Sequence, residues 1–542
     1  MQTHRREAVT GALRLALLPV LLLTVMRASA QNVDVQSERV SLDAALLRAV
    51  NGSASVGHYA VWPGPLHAAL DSLHTDAYAA YDAWTRDYYG RGDRWHLWKY
   101  ADFSLSMVVD GALMGRAGTT DDGSSSEAFL LGRPSVRVMG SIDDTWDFMV
   151  DLSNGQRFAG TSARIARTDP TLGRTFKFVA EEQTFFDRYI GYVQYRSEHL
   201  RVRYGREALQ FGFSPIDNLV HSIEAPPMDG ILVDVPFKNV RFTFTHHQAE
   251  GLDTNNRSVP GKYIATHRLS VDPWPWLSVS VSDMIVYWNR GIDLVYLNPL
   301  AFFVSAGLGT KQRSDTDNSL LAFDVALRPI DGTMVYGTLV IDDLAFSTLR
   351  DTSFRGNNNK FAFQGGISQA MRVGTRDLLL TAEYARITPF TYSHRTLNAS
   401  YTHMGASAGY DMQPNSDRLA VQATFWFTPR TSVRIDVDYT RHGENILDAF
   451  GNILVGEDPR FPGAPAFIGN VGGDVTRGES DFLQGNRFLR GNVSYQRRID
   501  AVFSAEVFRN VFTDVRVGYT NRNGGNRPGE FFFGAAEVRI GY

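Results

Sequence analysis

The chain has 542 residues, of which 44% are hydrophobic and 12% aromatic, with 48 glycines, 22 tyrosines and 34 phenylalanines. Charged residues make up 21% and the formal net charge is -4, which argues against a nucleic-acid partner because such a chain carries a strong basic excess. There is no cysteine, which excludes structural disulfides, thiolate metal sites, a cysteine nucleophile and a lipid-bearing N-terminal cysteine.

Residues 1–30 read as a secretory signal peptide. Arg5 and Arg6 precede an apolar run from Leu15 to Met26, and Ala28, Ser29 and Ala30 form a small-residue cleavage site. The run is too short to cross a bilayer, so the mature chain is expected to begin near Gln31. Residues 31–94 then read as an N-terminal helical segment. SLDAALLRAV (41–50) has Ser41 as its cap, and Leu66, Leu70, Leu73, Ala77, Tyr81, Trp84 and Tyr88 recur at helical spacing.

From about Trp95 onward the period becomes two. Val433, Ile435, Val437 and Tyr439 alternate with Arg434, Asp436 and Asp438. VQATFWF (421–427), WDFMVDL (146–152), LRVRY (200–204), VRFTF (240–244), LTAEYAR (380–386) and NVSYQRR (492–498) show the same alternation, the signature of strands with one apolar and one wet face. A β-sandwich would alternate too. The leader, the Tyr and Phe at many strand ends, and Gly/Asn/Asp-rich links of unequal length favour a transmembrane antiparallel β-barrel over 95–542. Roughly 450 residues at about 25 per strand predict about 18 strands. No stretch of ~18 apolar residues remains after the leader to form a spanning helix.

Candidate chemistry is sparse. The adjacent His246 and His247 point to opposite faces of a strand and cannot share one ion, so they read as solvated or girdle residues. Asp315 to Asp324 lacks the glycine and distant glutamate of a calcium loop and reads as an acidic turn entering a strand. Ser214, Asp217, His221 and Glu224 fall in one stretch without the G-x-S-x-G elbow of a hydrolase. No catalytic, cofactor or metal residues are therefore assigned. Arg201 and Arg203 on one strand and Arg241 on another occupy polar faces, with Arg206 in the turn after the first. They would face the lumen, where they would either pair with acidic residues across strands or contact an anionic glycan.

The succession RYGREALQFGFSPIDNLVHSIEAPPMDGILV (203–233), THRLSVDPWPWLSVSVSDMIVY (266–287), YLNPLAFF (296–303), NSLLAFDVALRP (318–329), MVYGTLVIDDL (334–344) and YTHMGASAGYDMQPNSDRLAVQATFWF (401–427) resembles the capsule assembly Wzi family of outer-membrane proteins. The resemblance implies an 18-stranded barrel in the bacterial outer membrane with a periplasmic helical piece, here 31–94, and a non-catalytic, lectin-like role in binding surface polysaccharide. The rival reading is a porin or solute channel. A third, an outer-membrane hydrolase, would need an acid, His and Ser brought together.

The closing FFFGAAEVRIGY (531–542) places Ala536, Val538, Ile540 and Tyr542 on one face of a strand. A terminal strand ending in an aromatic residue is what barrel assembly machinery reads in the class this chain resembles, and it would seal the barrel in outer-membrane lipid. Removal of Tyr542 is accordingly expected to lower the amount of heat-modifiable barrel in the outer membrane. Wild-type levels on a gel comparing boiled and unboiled samples would contradict this.

Overall fold

The computed structural model describes residues 98–100, 103–119, 126–143, 145–160, 185–222, 224–252, 258–303, 317–330, 332–343, 359–374, 376–428, 431–458, 461–478, 487–508 and 511–541. The predicted leader, both predicted helices and Tyr542 lie outside these residues.

In chain order the long strands are β1 (Phe103–Thr119), β2 (Ser126–Ile142), β3 (Trp146–Gly160), β4 (Phe185–Arg196), β5 (Arg201–Glu207) and β6 (Met228–Phe237). They continue as β7 (Val240–Leu252), β8 (Ser258–Trp274), β9 (Leu277–Tyr287), β10 (Asn318–Leu327), β11 (Thr333–Asp343) and β12 (Lys360–Val373). The last six are β13 (Arg376–Ile387), β14 (Ser416–Thr428), β15 (Thr431–Glu444), β16 (Asn492–Phe508), β17 (Val511–Gly524) and β18 (Gly529–Gly541). All belong to one sheet of 19 strands, in which the short strand Trp98–Tyr100 merely extends the edge of β1 at Phe103 to Leu105. The other 18 pair antiparallel in sequence order. β18 closes on β1, Gly541 opposite Asp110 and Phe533 opposite Gly118. The expected 18-stranded barrel is the fold observed.

Closure fixes which face is which. On β15, Ile435, Val437 and Tyr439 point out and are exposed, while Arg434, Asp436 and Asp438 point in. The outward set continues round the barrel through Tyr495, Ile499, Val515, Val517, Phe532 and Val538. A predominantly apolar exterior with polar side chains inside is the reverse of a soluble barrel and suits a lipid surround. Trp274 and Trp276 stack at 5.3 Å on the β8–β9 turn, and Trp146 meets Tyr195 edge-on at 5.2 Å near the β2–β3 turn, giving an aromatic girdle at that rim.

The two rims differ. Links on the rim holding the β2–β3 and β6–β7 turns are tight; at β6–β7 the left-handed Lys238 (φ 52) lets the strands reverse within two residues. The opposite rim carries the long links 208–227, 288–317, 388–415 and 445–491. Short turns mark the periplasmic rim of such barrels and long loops the extracellular one.

The interior has two sectors. Against β5 to β14, links 208–227 and 388–415 fold inward. Leu209, Phe211, Leu219, Val220, Tyr392, Tyr401 and Tyr410 there pack with the inward Met284, Leu320, Val340, Ala362 and Ile387 into one buried cluster. Along β15 to β18 and β1 to β4 the inner wall is ionic instead. Arg137 donates to Asp151 at 2.8 and 3.2 Å, Arg133 to Glu537 at 2.9 Å, and Arg498 and Arg516 both reach Asp500, Arg516 at 2.9 Å.

Segment 288–303, part of the β9–β10 link, instead lies on the outer wall. Val295, Tyr296, Leu297 and Phe303 cover the outward side chains Phe244, Ala265, Ile285 and Tyr287 of β7 to β9. This changes the reading of the histidine pair. They do point to opposite faces, but both are buried, His247 inside the barrel and His246 beneath this segment, with Nε2 2.7 Å from the Tyr287 hydroxyl.

The two faces of one strand should differ in tolerance. Val517→Arg, on the exposed apolar face of β17, is expected to cost about 2–4 kcal/mol near mid-bilayer, whereas Thr520→Arg on the lumen face should cost far less. Urea midpoints for barrels folded into lipid vesicles measure the difference.

Candidate functional site: the plugged extracellular mouth

The plug is held by polar contacts between segments far apart in sequence. Tyr392 and Tyr401 donate their hydroxyls to the carbonyls of Leu219 and Val220 at 2.7 and 2.6 Å, and the Ser222 amide donates to Ala408 O at 3.0 Å. Gly409 lets these backbones meet, since a Cβ there would stand 2.6 Å from Leu219 O. Glu383, inward on β13, anchors the plug to the wall. Its carboxylate accepts Tyr336 and Gln364 at 2.8 Å, Tyr410 at 2.8 Å, and the Ser214 hydroxyl. A buried carboxylate is tolerated only when its lone pairs are filled in this way. Lys262 of β8 pins the same plug, donating to Ser400 O at 2.9 Å and the Thr402 hydroxyl at 3.0 Å.

The four residues considered for a hydrolase do not form a relay. Ser214 donates to Glu383, whereas the His221 ring lies between Thr266 (Nε2, 2.9 Å) and the Tyr401 hydroxyl (Nδ1, 2.9 Å). Asp217 accepts the Ser222 hydroxyl at 2.5 Å and the amides of Asn218 and Asp411 at 2.7 and 2.6 Å. Burial, reinforced by the Arg268 charge, pushes His221 down to about 3, keeping it neutral. Burial also raises Asp217 to about 6 against the pull of its three donors. In the acidic run, Asp317 precedes β10 and binds Arg290 through two bonds at 2.7 and 2.6 Å, and Asp324 faces inward onto Arg268. Among the described residues no group of three or more His, Asp or Glu is placed to hold a metal ion.

The three candidate arginines face inward near the short-turn rim. Arg203 is buried over the Tyr192 ring at 4.0 Å, gives Nε and Nη2 to Gln194 at 3.1 and 2.9 Å, and gives Nη1 to Glu207 at 2.5 Å. Gln194 in turn donates to Asp147 at 2.9 Å. Arg201 and Arg241 flank Asp234 at 3.6 and 3.8 Å, with Thr243 donating to the same carboxylate at 2.9 Å. Arg206, expected in the turn and facing the lumen, instead lies within β5 on the outward face shared with the exposed Tyr204, and pairs with Asp229.

Above the plug, the long links are tied into one platform. Asn415 (φ 60) donates to Gly443 O at 2.7 Å and Arg490 O at 2.9 Å, and accepts the Leu489 amide at 2.7 Å. Asn445 accepts the amides of Val471 and Gly473 at 2.9 and 3.2 Å, while its carbonyl receives Asn526 at 2.9 Å. Phe390 and Val475 connect the platform back to the plug, through Gly472 O at 3.2 Å and Gln413 at 2.9 Å. The platform's outer surface presents Phe450, which is 90% exposed, with Phe461 and Phe467. Asp448 fixes the Phe450 turn by accepting the amides of Phe450 and Asn452 at 2.9 Å.

A family model described as capsule assembly protein Wzi matches residues 143–460, which include β3 to β15, the whole plug and the start of the platform. The chain belongs to the Wzi family. Membership and the apolar exterior together place it in the bacterial outer membrane. Among solved structures it is similar to Wzi of Escherichia coli, described as an outer-membrane protein involved in group 1 capsule assembly and a carbohydrate-binding β-barrel. That match has a TM-score of 0.54 and 14% identity, and covers 94% of this chain and 98% of the other. Other similar structures are a BenF-like porin of Pseudomonas fluorescens Pf-5 (TM-score 0.45, 8% identity, 81% and 99% covered) and OprD of Pseudomonas aeruginosa (0.43, 10%, 80% and 95%). No curated protein matches the sequence. Of the two longest stretches that carried the family resemblance, 203–233 contains the whole first plug link and 401–427 takes in the second from Tyr401 onward.

Sequence reasoning missed Glu383, Tyr392, Asn415 and Asn445. Tyr392, Asn415 and Asn445 lie in links without a period, Glu383 reads only as one polar position of its strand, and their partners lie up to 173 residues away, the Tyr392 to Leu219 separation. One overlooked signal was present: Asp283 and His267 fall at outward positions of β9 and β8, where an uncovered barrel would meet lipid.

The shift of Asp217 sets a pH dependence. The folded carboxyl keeps its proton up to about 6, against an ordinary 3.8, so protonation favours the folded plug. This stabilisation is full below about 3.8 and disappears as pH rises through 6. Amide exchange in 208–227, corrected for intrinsic rates, should therefore be slower at about pH 5 than at about pH 7.5, and Asp217→Asn should flatten the difference.

Proposed function

We propose that this protein binds capsular-type polysaccharide at the cell surface without catalysis, in keeping with the similar Escherichia coli protein described as a carbohydrate-binding barrel involved in capsule assembly. The observation that carries this reading is the mouth itself, a lumen sector filled by a hydrogen-bonded plug beneath a fixed platform that exposes Phe450, Phe461 and Phe467. A pyranose offers one C–H-rich face, and an aromatic face held rigid in water accepts it at little entropic cost. Arg477 and Asp474, exposed side chains of the same link, would add polar contacts.

In this reading Arg201, Arg203 and Arg241 are lumenal pairing groups that hold β4 to β7 together. Their acidic and amide partners and their distance from the long-loop rim support this. Residues 31–94 would supply a periplasmic helical piece, with surface polysaccharide, outer-membrane lipid and barrel assembly machinery as the partners. A solute channel is the second reading. It is favoured by the ionic wall of Arg137, Arg498 and Arg516, where charged side chains rather than a core face the lumen.

Two measurements separate the readings. Purified protein should retain capsular polysaccharide on a glycan surface, and combined Phe450→Ala, Phe461→Ala and Phe467→Ala should reduce binding at least about tenfold, the loss of about 1.4 kcal/mol. Arg241→Gln should leave it unchanged. A strain lacking the protein should shed polysaccharide. Unaltered capsule attachment with no glycan binding, together with a large steady conductance in planar bilayers, would replace this function by transport.

A further inference from the structure

The outer wall of β7 to β9 interrupts the apolar band of the exterior. Below it, Leu269, Val279 and Val281 are exposed and apolar. Above them, at the same outward parity, stand Asp283 and His267, directly opposite each other in the ladder, and His246. Each would be costly against lipid, yet Asp283 and His267 are each only 7% exposed. Segment 288–303 covers them. Phe303 donates its amide to Asp283 at 2.6 Å and stacks its ring on His267 at 4.0 Å.

The covering segment is apolar on both sides. Val295, Leu297 and Phe303 face the wall, while Ile292, Leu294, Leu300 and Phe302 face away, Leu300 at 92% exposure. Its charges are turned on one another, with Arg290 bound to Asp317 and 3.3 Å from Asp293. From Asp293 onward most of its amides also have acceptors, that of Asp293 on the Tyr287 hydroxyl. Those of Val295, Tyr296, Asn298, Leu300, Ala301 and Phe303 donate to acceptors in the segment or on the wall, and residue 299 is proline. A segment bathed in water needs neither property. One lying in hydrocarbon needs both, because unpaired backbone groups are not tolerated there.

We propose that 288–303 is a membrane-inserted strap whose outward side packs against acyl chains of the outer leaflet. It takes over the lipid contact that β7 to β9 surrender at Asp283, His267 and His246. The apolar outer side of the strap continues the lipid-facing band of Leu269, Val279 and Val281, so acyl chains are the occupant that matches both. The strap thereby fixes one extracellular link at a defined depth in the outer leaflet, independently of any glycan the mouth binds.

The cysteine-free chain allows a direct test on the full protein in proteoliposomes. Leu300→Cys and Leu294→Cys are each labelled with a nitroxide, with Val281→Cys as the lipid reference and Phe450→Cys as the aqueous one. The strap positions should match Val281, collision with lipid-soluble oxygen exceeding that with a water-soluble nickel chelate. Chelate-dominated collisions like those at Phe450 would overturn the proposal, placing the strap in water. Spin–spin broadening between labels would overturn it too, by showing a second copy as the occupant. Side chains that touch only lipid tolerate cysteine, so failure of both variants to reach the heat-modifiable form would count equally against it.

Discussion

The seam between β1 and β18 is the constraint on which the rest of this molecule depends. In hydrocarbon, each strand amide and carbonyl must be paired within the protein, and only a sheet without edges achieves that. Pairing of Gly541 with Asp110 through to Phe533 with Gly118 removes the last edge. Once the sheet is closed, the two-residue period of each strand becomes a division between lipid and lumen, and Val437 and Asp438 acquire opposite surroundings although they are adjacent in the chain.

Closure also creates an interior that has to be occupied. One sector is filled by links that turn inward, and there the polar groups are matched individually: Glu383 by Tyr336, Gln364, Tyr410 and Ser214, and Asp217 by Ser222 and two amides. The opposite sector keeps a wall of paired charges such as Arg137 with Asp151. Buried ion pairs contribute little net stability, because desolvation offsets their attraction. The aromatic cluster around Tyr392 and Tyr401 is therefore the firmer support of the mouth. It is tied to the platform through Phe390 and Val475, and within the platform the turn that carries Phe450 is bonded through Asp448.

Much of the barrel was legible before any coordinates. Alternation in VRIDVDY, VQATFWF and LTAEYAR located strands and assigned their faces, since period-two patterning survives wherever one face meets lipid. The figure of about 18 strands follows from chain length at about 25 residues per strand. The mouth was less legible. Ser214, Asp217 and His221 stood together in sequence as a conceivable relay, but their partners are Glu383, Asp411, Thr266 and Tyr401, supplied by strands and links on other parts of the barrel. Asp283 shows the limit most clearly. Its outward parity was readable, whereas the cover that makes it tolerable comes from a link without periodicity.

The sequence by itself determined which side chains share a face of each strand, because a side chain's parity depends only on its position along that strand. It also showed that the links are polar and of unequal length. Only the tertiary structure decided where those links went: inward as a plug, across the mouth as a platform, or down the outer wall as a strap. Those choices depend on contacts between residues far apart in the chain, whose free energy appears only after closure has brought the strands that carry them together.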